Sequence, residues 1–385
     1  MLADFLDNFI HNLFKPLLLF FYMGFLIPIL RVPFEFPHVL YQGLTMYLLI
    51  SIGWHGGEEL ATLDAAAAQQ ALGYMAIGFF TNFAIGCLAY FILRNVTRLR
   101  NVDAATVAGY YGSDSAGTFV TCLGVLTAAN MAYAAYMPVM LAIMEIPGCL
   151  VALFLVSRLR EHGMDRLGNM PDEPDYNPNG SDEGEEGEHA NGHAVVRRTD
   201  RPRRPIISPE LLHEVFLNPG LYLLFGGILI GFVSRLQGHK VTDADDLLFV
   251  SLFPPMLCLF LLEMGITACK RLRDLRVAGW RFIAFAVLAP NVFATIGILI
   301  THLYSMFLGT PFDIGTYALF AVLCGAASYI AVPAVQRLAI PEASPTLPLA
   351  ASLGLTFTYN VTIGIPVYIL IATTVSEAFP VGIAT

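Results

Sequence analysis

Charge is scarce in this chain. Only 13% of its 385 residues are Asp, Glu, Lys or Arg, against about 25% in ordinary soluble domains. A water-soluble fold of this size needs polar side chains to cover its surface, so soluble enzymes, nucleic-acid binders and secreted modules are excluded together. Cysteine is sparse as well. Cys87, Cys122, Cys149, Cys258, Cys269 and Cys324 stand apart in apolar stretches or at their ends, with no C-x-x-C spacing and no partner histidine. They read as small buried hydrophobes, without a disulfide framework or a thiolate metal site. None of the nine histidines lies in the middle of an apolar run. Basic residues are missing from Met1 to Phe14, where Asp4 and Asp7 stand instead, and no A-x-A site follows the first apolar run. The first helix is therefore expected to be retained and not cleaved as a leader.

What the chain has in excess is apolar surface: 56% of its residues are hydrophobic and the mean hydropathy is +0.64. This is the composition of a polytopic membrane protein. The net charge of -9 is concentrated between Glu161 and Asp200, where 11 acids face 3 arginines; the apolar remainder is nearly neutral.

A bilayer core of about 30 Å takes roughly 20 helical residues to cross. Ten apolar runs approach that length: Leu13 to Leu30, Val39 to Trp54, Ala71 to Leu93, Ala104 to Thr127, Met131 to Ser157, Leu217 to Ser234, Leu247 to Ala268, Gly279 to Leu303, Ile314 to Val335 and Leu347 to Thr374. The fold class expected is an all-α membrane protein of ten transmembrane helices. Between the fifth and sixth runs, Asp172 to Arg204 is rich in Pro, Gly, Asn and acid and then turns basic, too polar to build a core. The expected organisation is a first five-helix repeat over 1–158, a disordered cytoplasmic linker over 159–210, and a second repeat over 211–385. With both termini outside, 18 of the 21 Lys and Arg residues fall on the cytoplasmic side, as the positive-inside rule requires.

The two halves resemble each other at nearly constant offsets. Ile52-Gly53 stands opposite Met264-Gly265, 212 residues on, and Gly112 and Ser115 stand opposite Gly325 and Ser328, 213 residues on. Five helices is an odd number, so the second half inserts upside down and the repeat is inverted. The fourth and ninth runs are unusual. One carries Gly109, Gly112, Ser113, Ser115, Gly117 and Thr118, the other Gly325, Ser328 and Pro333. Small residues also let helices pack closely, but two such runs at matching repeat positions predict helices that break at mid-membrane. Broken backbone is tolerated there only where it lines a polar cavity, and facing half-helix N-termini attract a small anion. The substrate-binding candidates are therefore Gly112, Ser113, Ser115, Gly117, Thr118, Gly325 and Ser328.

Ionisable residues at membrane depth are expensive and mark candidate sites. Asp114 and Glu145 lie mid-span and read as cation-coupling residues, or as protonated acids bonded between helices. Two ionised carboxylates beside an anion would repel it unless a cation or proton accompanies them, an electrostatic reason for coupled transport. Glu263, near the inner end of the seventh span, reads as structural, and His55 as interfacial.

Several stretches resemble the sodium-dependent bicarbonate permease family of the SbtA type: IGWHGGEE (52–59), VDAATVAGYYGSDSAGT (102–118), MEIPG (144–148), MGITA with its following basic run (264–276), and RLAIPEASP (337–345). The resemblance covers nearly the whole chain outside the linker. It implies two inverted five-helix repeats, a homotrimer in a bacterial inner membrane, Na+ as the coupling ion with no other cofactor, bicarbonate uptake, and regulation by a PII-like protein. Ser115, Thr118, Ser328 and Pro333 match family motif positions. The departures are Gly117 and Ala331, where the family usually has serine, Asp114 where it has a small apolar residue, and Tyr329 where it has aspartate. Tyr329 is grouped with Asp114 and Glu145 on that basis. Bicarbonate, Na+ and the lipid bilayer are the expected partners, and nucleic acid is not. A symporter of another small solute, an anion channel, a receptor, and an intramembrane hydrolase using Ser115 or Ser328 are the competing readings. The last lacks a histidine or lysine base at membrane depth.

Overall fold

The computed structural model describes residues 14–177, 219–273, 275 and 279–382. These are helical, and no strand occurs among them. In chain order the helices are α1 (Pro16–Leu30), α2 (His38–Leu60), α3 (Ala65–Val96), α4 (Asn101–Tyr111), α5 (Ala116–Ala128), α6 (Met137–Glu161), α7 (Pro219–Leu236), α8 (His239–Leu272), α9 (Trp280–Leu308), α10 (Ile314–Gly325), α11 (Ala331–Ala339) and α12 (Leu347–Ala378). Six of them, α3, α6, α7, α8, α9 and α12, are long and apolar enough to cross a bilayer. The exterior is itself apolar: Phe80, Phe91, Leu229, Leu303 and Phe307 are largely exposed, while Asn82, Thr106, Ser352 and Asn360 are wholly buried. Such a surface suits hydrocarbon and not water.

Local chemistry sets several boundaries. Asp64 caps α3 by accepting from the Ala67 N–H at 2.7 Å, replacing one of the four donors a helix start leaves unpaired. The helix after the second apolar run continues past Trp54 through a polar HGGEEL turn to Leu60. Pro28, Pro147 and Pro290 sit inside intact helices. Wide π turns interrupt α12 over Ala350–Phe357 and Asn360–Gly364, and α8 over Leu247–Ser251.

The helices form two groups. In the first, α2 lies on α7 and α1 on α8, both pairs at backbone contact. A Cβ on Gly227 would lie 2.7 Å from the Ile50 carbonyl oxygen; one on Gly265 would overlap the Phe21 carbonyl, and one on Gly24 the Leu262 carbonyl. Glycine is required by this close approach. The second group holds α3–α6 and α9–α12, where α4 packs on α6 and α10 on α9.

Residues 162–177, expected as part of the linker, form a loop tied to the second group. The Glu173 carboxylate accepts from the Asn101 N–H at 2.7 Å, and Arg100 donates to the Leu167 carbonyl at 2.9 Å. Arg160 pairs with Glu342 at 2.8 Å, so the ends of α6 and α11 and the start of α4 lie on one face. The rest of the expected linker, 178–210, lies outside the described residues.

Candidate functional site

Both unusual spans are broken. α4 ends at Tyr111 and α5 begins at Ala116, with Gly112 to Ser115 between them; α10 ends at Gly325 and α11 begins at Ala331. The two breaks touch through the backbone, because the Ser328 N–H donates to the Tyr110 carbonyl at 2.8 Å. Pro333 does not cause the second break. It stands in the first turn of α11, where a missing N–H removes a donor that had no helical partner.

A helix that stops inside the protein leaves its last carbonyls unpaired. At α10 two asparagines take them up. Asn82 of α3 donates through Nδ2 to the Leu323 carbonyl at 3.4 Å and to the Met144 carbonyl at 3.1 Å. Asn360 of α12 donates to the Gly325 carbonyl at 2.9 Å and accepts from the Tyr368 hydroxyl at 2.6 Å. Further buried bonds fix the flanks: Tyr110 to Gln336 at 2.7 Å, and Tyr111 with Thr356 at 2.6 Å, whose hydroxyl donates to the Ala286 carbonyl at 2.8 Å. Sequence reasoning missed Asn82 and Asn360. The signal was an amide in the middle of an apolar run, which is as anomalous as a charge.

The second half-helices start with donors that the helix itself leaves unpaired, and serines take up one at each start. Ser115 caps α5, its Oγ accepting from the Thr118 hydroxyl at 2.9 Å and the Thr118 N–H at 3.3 Å. Ser328 Oγ stands 3.5 Å from the Val332 N–H of α11. Each start carries partial positive charge from its helix. Ser113, at the first break, donates to the Glu145 carbonyl at 2.8 Å.

Asp114 is buried at 2% exposure, and its Oδ2 has no hydrogen-bond partner. Glu145 of α6 is only partly buried and lies close enough for its charge to act on Asp114. Asn82 Oδ1 is a second buried acceptor without a partner. An unpaired buried acceptor leaves a hydrogen bond unmade at a cost, so this corner offers oxygen atoms without donors. Gly117 stands against the Tyr329 hydroxyl. The fourth-span candidates thus meet Glu145 and Tyr329, while Ser328 joins them through its backbone and through its neighbour Tyr329. Away from the breaks, His55 pairs with Glu59 at 3.3 Å, and Glu263 accepts from Thr267 at 2.8 Å.

Two interrupted helices that meet inside an apolar bundle, with helix starts and donor-free oxygens at the junction, define a membrane transport protein. The sequence model of the Na+-dependent bicarbonate transporter superfamily matches residues 16–373. The chain belongs to that superfamily. Among curated proteins none matches it.

Proposed function

We propose that the chain is a secondary transporter that takes up a small inorganic anion, bicarbonate, together with Na+. The observation that carries this reading is the junction of the two breaks: the half-helix starts at Ser115 and Ile330 beside Asp114, whose buried oxygen lacks a donor. The helix starts suit an anion. The unpaired acceptors suit a cation, and the cation removes the repulsion that Asp114 and Glu145 would exert on the anion. Ten crossings in two inverted repeats fit the same geometry. In that arrangement the breaks would fall in the fourth and ninth spans, and the α2–α7 and α1–α8 contacts would be reciprocal between repeats. On the charge rule, the face holding Arg100, Arg160 and Glu342 is cytoplasmic.

A hydrolase reading is less well supported. Ser115 caps α5 and Ser328 accepts from the Val332 N–H of α11, and among the described residues neither bonds to a histidine or lysine. Purified protein in liposomes should take up labelled bicarbonate only when an inward Na+ gradient is present; no Na+-dependent bicarbonate flux refutes the assignment. A Gly180→Cys variant should resist impermeant thiol reagent in intact cells, and labelling there would reverse the orientation.

A further inference from the structure

Tyr329 lies between α10 and α11, with its ring edge-on to Phe357 of α12 at 6.0 Å and 82°. The residue is 9% exposed and its hydroxyl is buried without a hydrogen-bond partner. That hydroxyl points at the first turn of α5. It lies so near the Gly117 backbone that a Cβ there would overlap it, with the ring carbon that bears the hydroxyl 3.3 Å away. Ser115 and the Gly117 N–H lie beside it, but neither meets it in the alignment of a formed hydrogen bond. On the far side Phe260 of α8 comes within 3.3 Å of the same point and stacks on Tyr41 at 6.0 Å.

Two independent features therefore converge. The start of α5, a helix of 13 residues, presents N–H groups that helix geometry leaves unpaired. A phenol O–H, which has found no acceptor inside the protein, is aimed at the same turn. The N–H groups can only donate and the phenol proton lacks an acceptor, so a group with at least one unprotonated oxygen placed between them would satisfy both.

We propose that Tyr329 determines specificity for a small oxyanion: its hydroxyl donates to an oxyanion oxygen at the start of α5, and residue 117 is glycine because that hydroxyl occupies the space of a side chain. The proposal rests on the reading that the anion binds between the breaks. It assigns Tyr329 to the anion and not to the cation. It also makes Gly117 and Tyr329 one coupled unit, contributed by different halves of the chain.

The test uses the purified full-length chain in detergent, with thermal unfolding followed in sodium bicarbonate and in sodium chloride at equal Na+. Bicarbonate should raise the melting temperature of the wild type. Tyr329→Phe, which removes only the hydroxyl, should weaken that bicarbonate effect by about ten- to a hundredfold in apparent affinity, the scale of one hydrogen bond to a charged group. Gly117→Ala should lower the melting temperature on its own, and adding Tyr329→Phe should restore the temperature but not the bicarbonate effect. Wild-type affinity in Tyr329→Phe overturns the proposal, as do additive effects of the two changes or a wild type that bicarbonate does not stabilise. Absent Na+-driven flux with these binding results intact refutes the transport reading alone. Unaltered binding in Tyr329→Phe with normal flux refutes only the role of Tyr329.

Discussion

Asp114→Asn separates charge from volume at the centre of the first break. The wild-type carboxyl group is buried, one of its oxygens has no donor, and the Glu145 carboxyl group lies nearby. A buried charge left without its partner costs about 3–5 kcal/mol. Na+ supplies that partner, so removing the Asp114 charge should weaken Na+ binding by about two to three and a half orders of magnitude, at about 1.4 kcal/mol per decade. Linkage is reciprocal: whatever factor Na+ contributes to anion affinity, the anion contributes to Na+ affinity. The variant should therefore also lose most of the Na+ enhancement of bicarbonate binding. The assay is bicarbonate uptake in proteoliposomes titrated with Na+, with melting temperature as a check on folding. Half-maximal Na+ activation should move far above the wild-type value while the melting temperature holds or rises, since an uncharged amide is cheaper to bury. Unchanged Na+ activation refutes the reasoning and moves the cation to Glu145 or to backbone carbonyls.

Three other outcomes follow from the fold. Asn82→Ala and Asn360→Ala should each destabilise by about 1–3 kcal/mol, because they strip the donors from the last carbonyls of α10; a melting temperature unchanged in both would refute their capping role. Gly227→Val should prevent α7 from seating on α2, and the loss of a monodisperse peak in detergent gel filtration checks it. In the loop after α6, Asp165 lies below the usual carboxylate range: burial alone would raise it, but N–H groups of Asn177, Asn169 and Leu167 outweigh that by bonding to the ionised form. A depressed carboxylate stabilises the folded loop above its unfolded pKa of about 3.9 and loses that contribution as pH falls below it. Limited proteolysis within 163–177 should be constant between pH 5 and 8 and should increase only in stronger acid, and Asp165→Asn should show the increase at neutral pH.

Much of this architecture is written along the chain, because it depends on short-range chemistry. Runs of apolar residues place the helices, with ends displaced by as much as from Leu247 to His239, and the clusters Gly112 to Thr118 and Gly325 to Pro333 bracket the observed breaks. Helix ends were harder to read. α2 and α3 extend into polar sequence, which hydropathy does not count. Proline is a poor guide to the second break: Pro333 stands in the first turn of α11, after the break, and does not interrupt the helix. The contacts that finish the site were not legible at all. Gly117 and Tyr329 stand out in the sequence as two separate departures, and only the packing of α5 against the second break makes them a single contact. The pairing of Asn82 with Leu323 spans 241 positions, and no local pattern announces which carbonyl an amide will meet.

The two helix groups differ in what binds them internally and what lies between them. Every interhelical hydrogen bond traced above stays within one group, as with Asn82 to α10, Asn360 to α10, Tyr110 to α11 and Tyr111 to α12. Across the boundary apolar side chains meet: Phe21 of α1 lies edge-on to Phe357 at 6.1 Å and 62°, Phe260 of α8 faces Gly117, and Leu17 and Leu257 face Gly124. Hydrogen bonds act over a few tenths of an ångström and so work as detents, whereas dispersion between aromatic faces changes gradually with displacement. In mechanical terms a boundary of this kind resembles a bearing more than a latch. Among the described residues the contacts named across it are apolar, so a relative displacement of the two groups would meet no directional bond at those points.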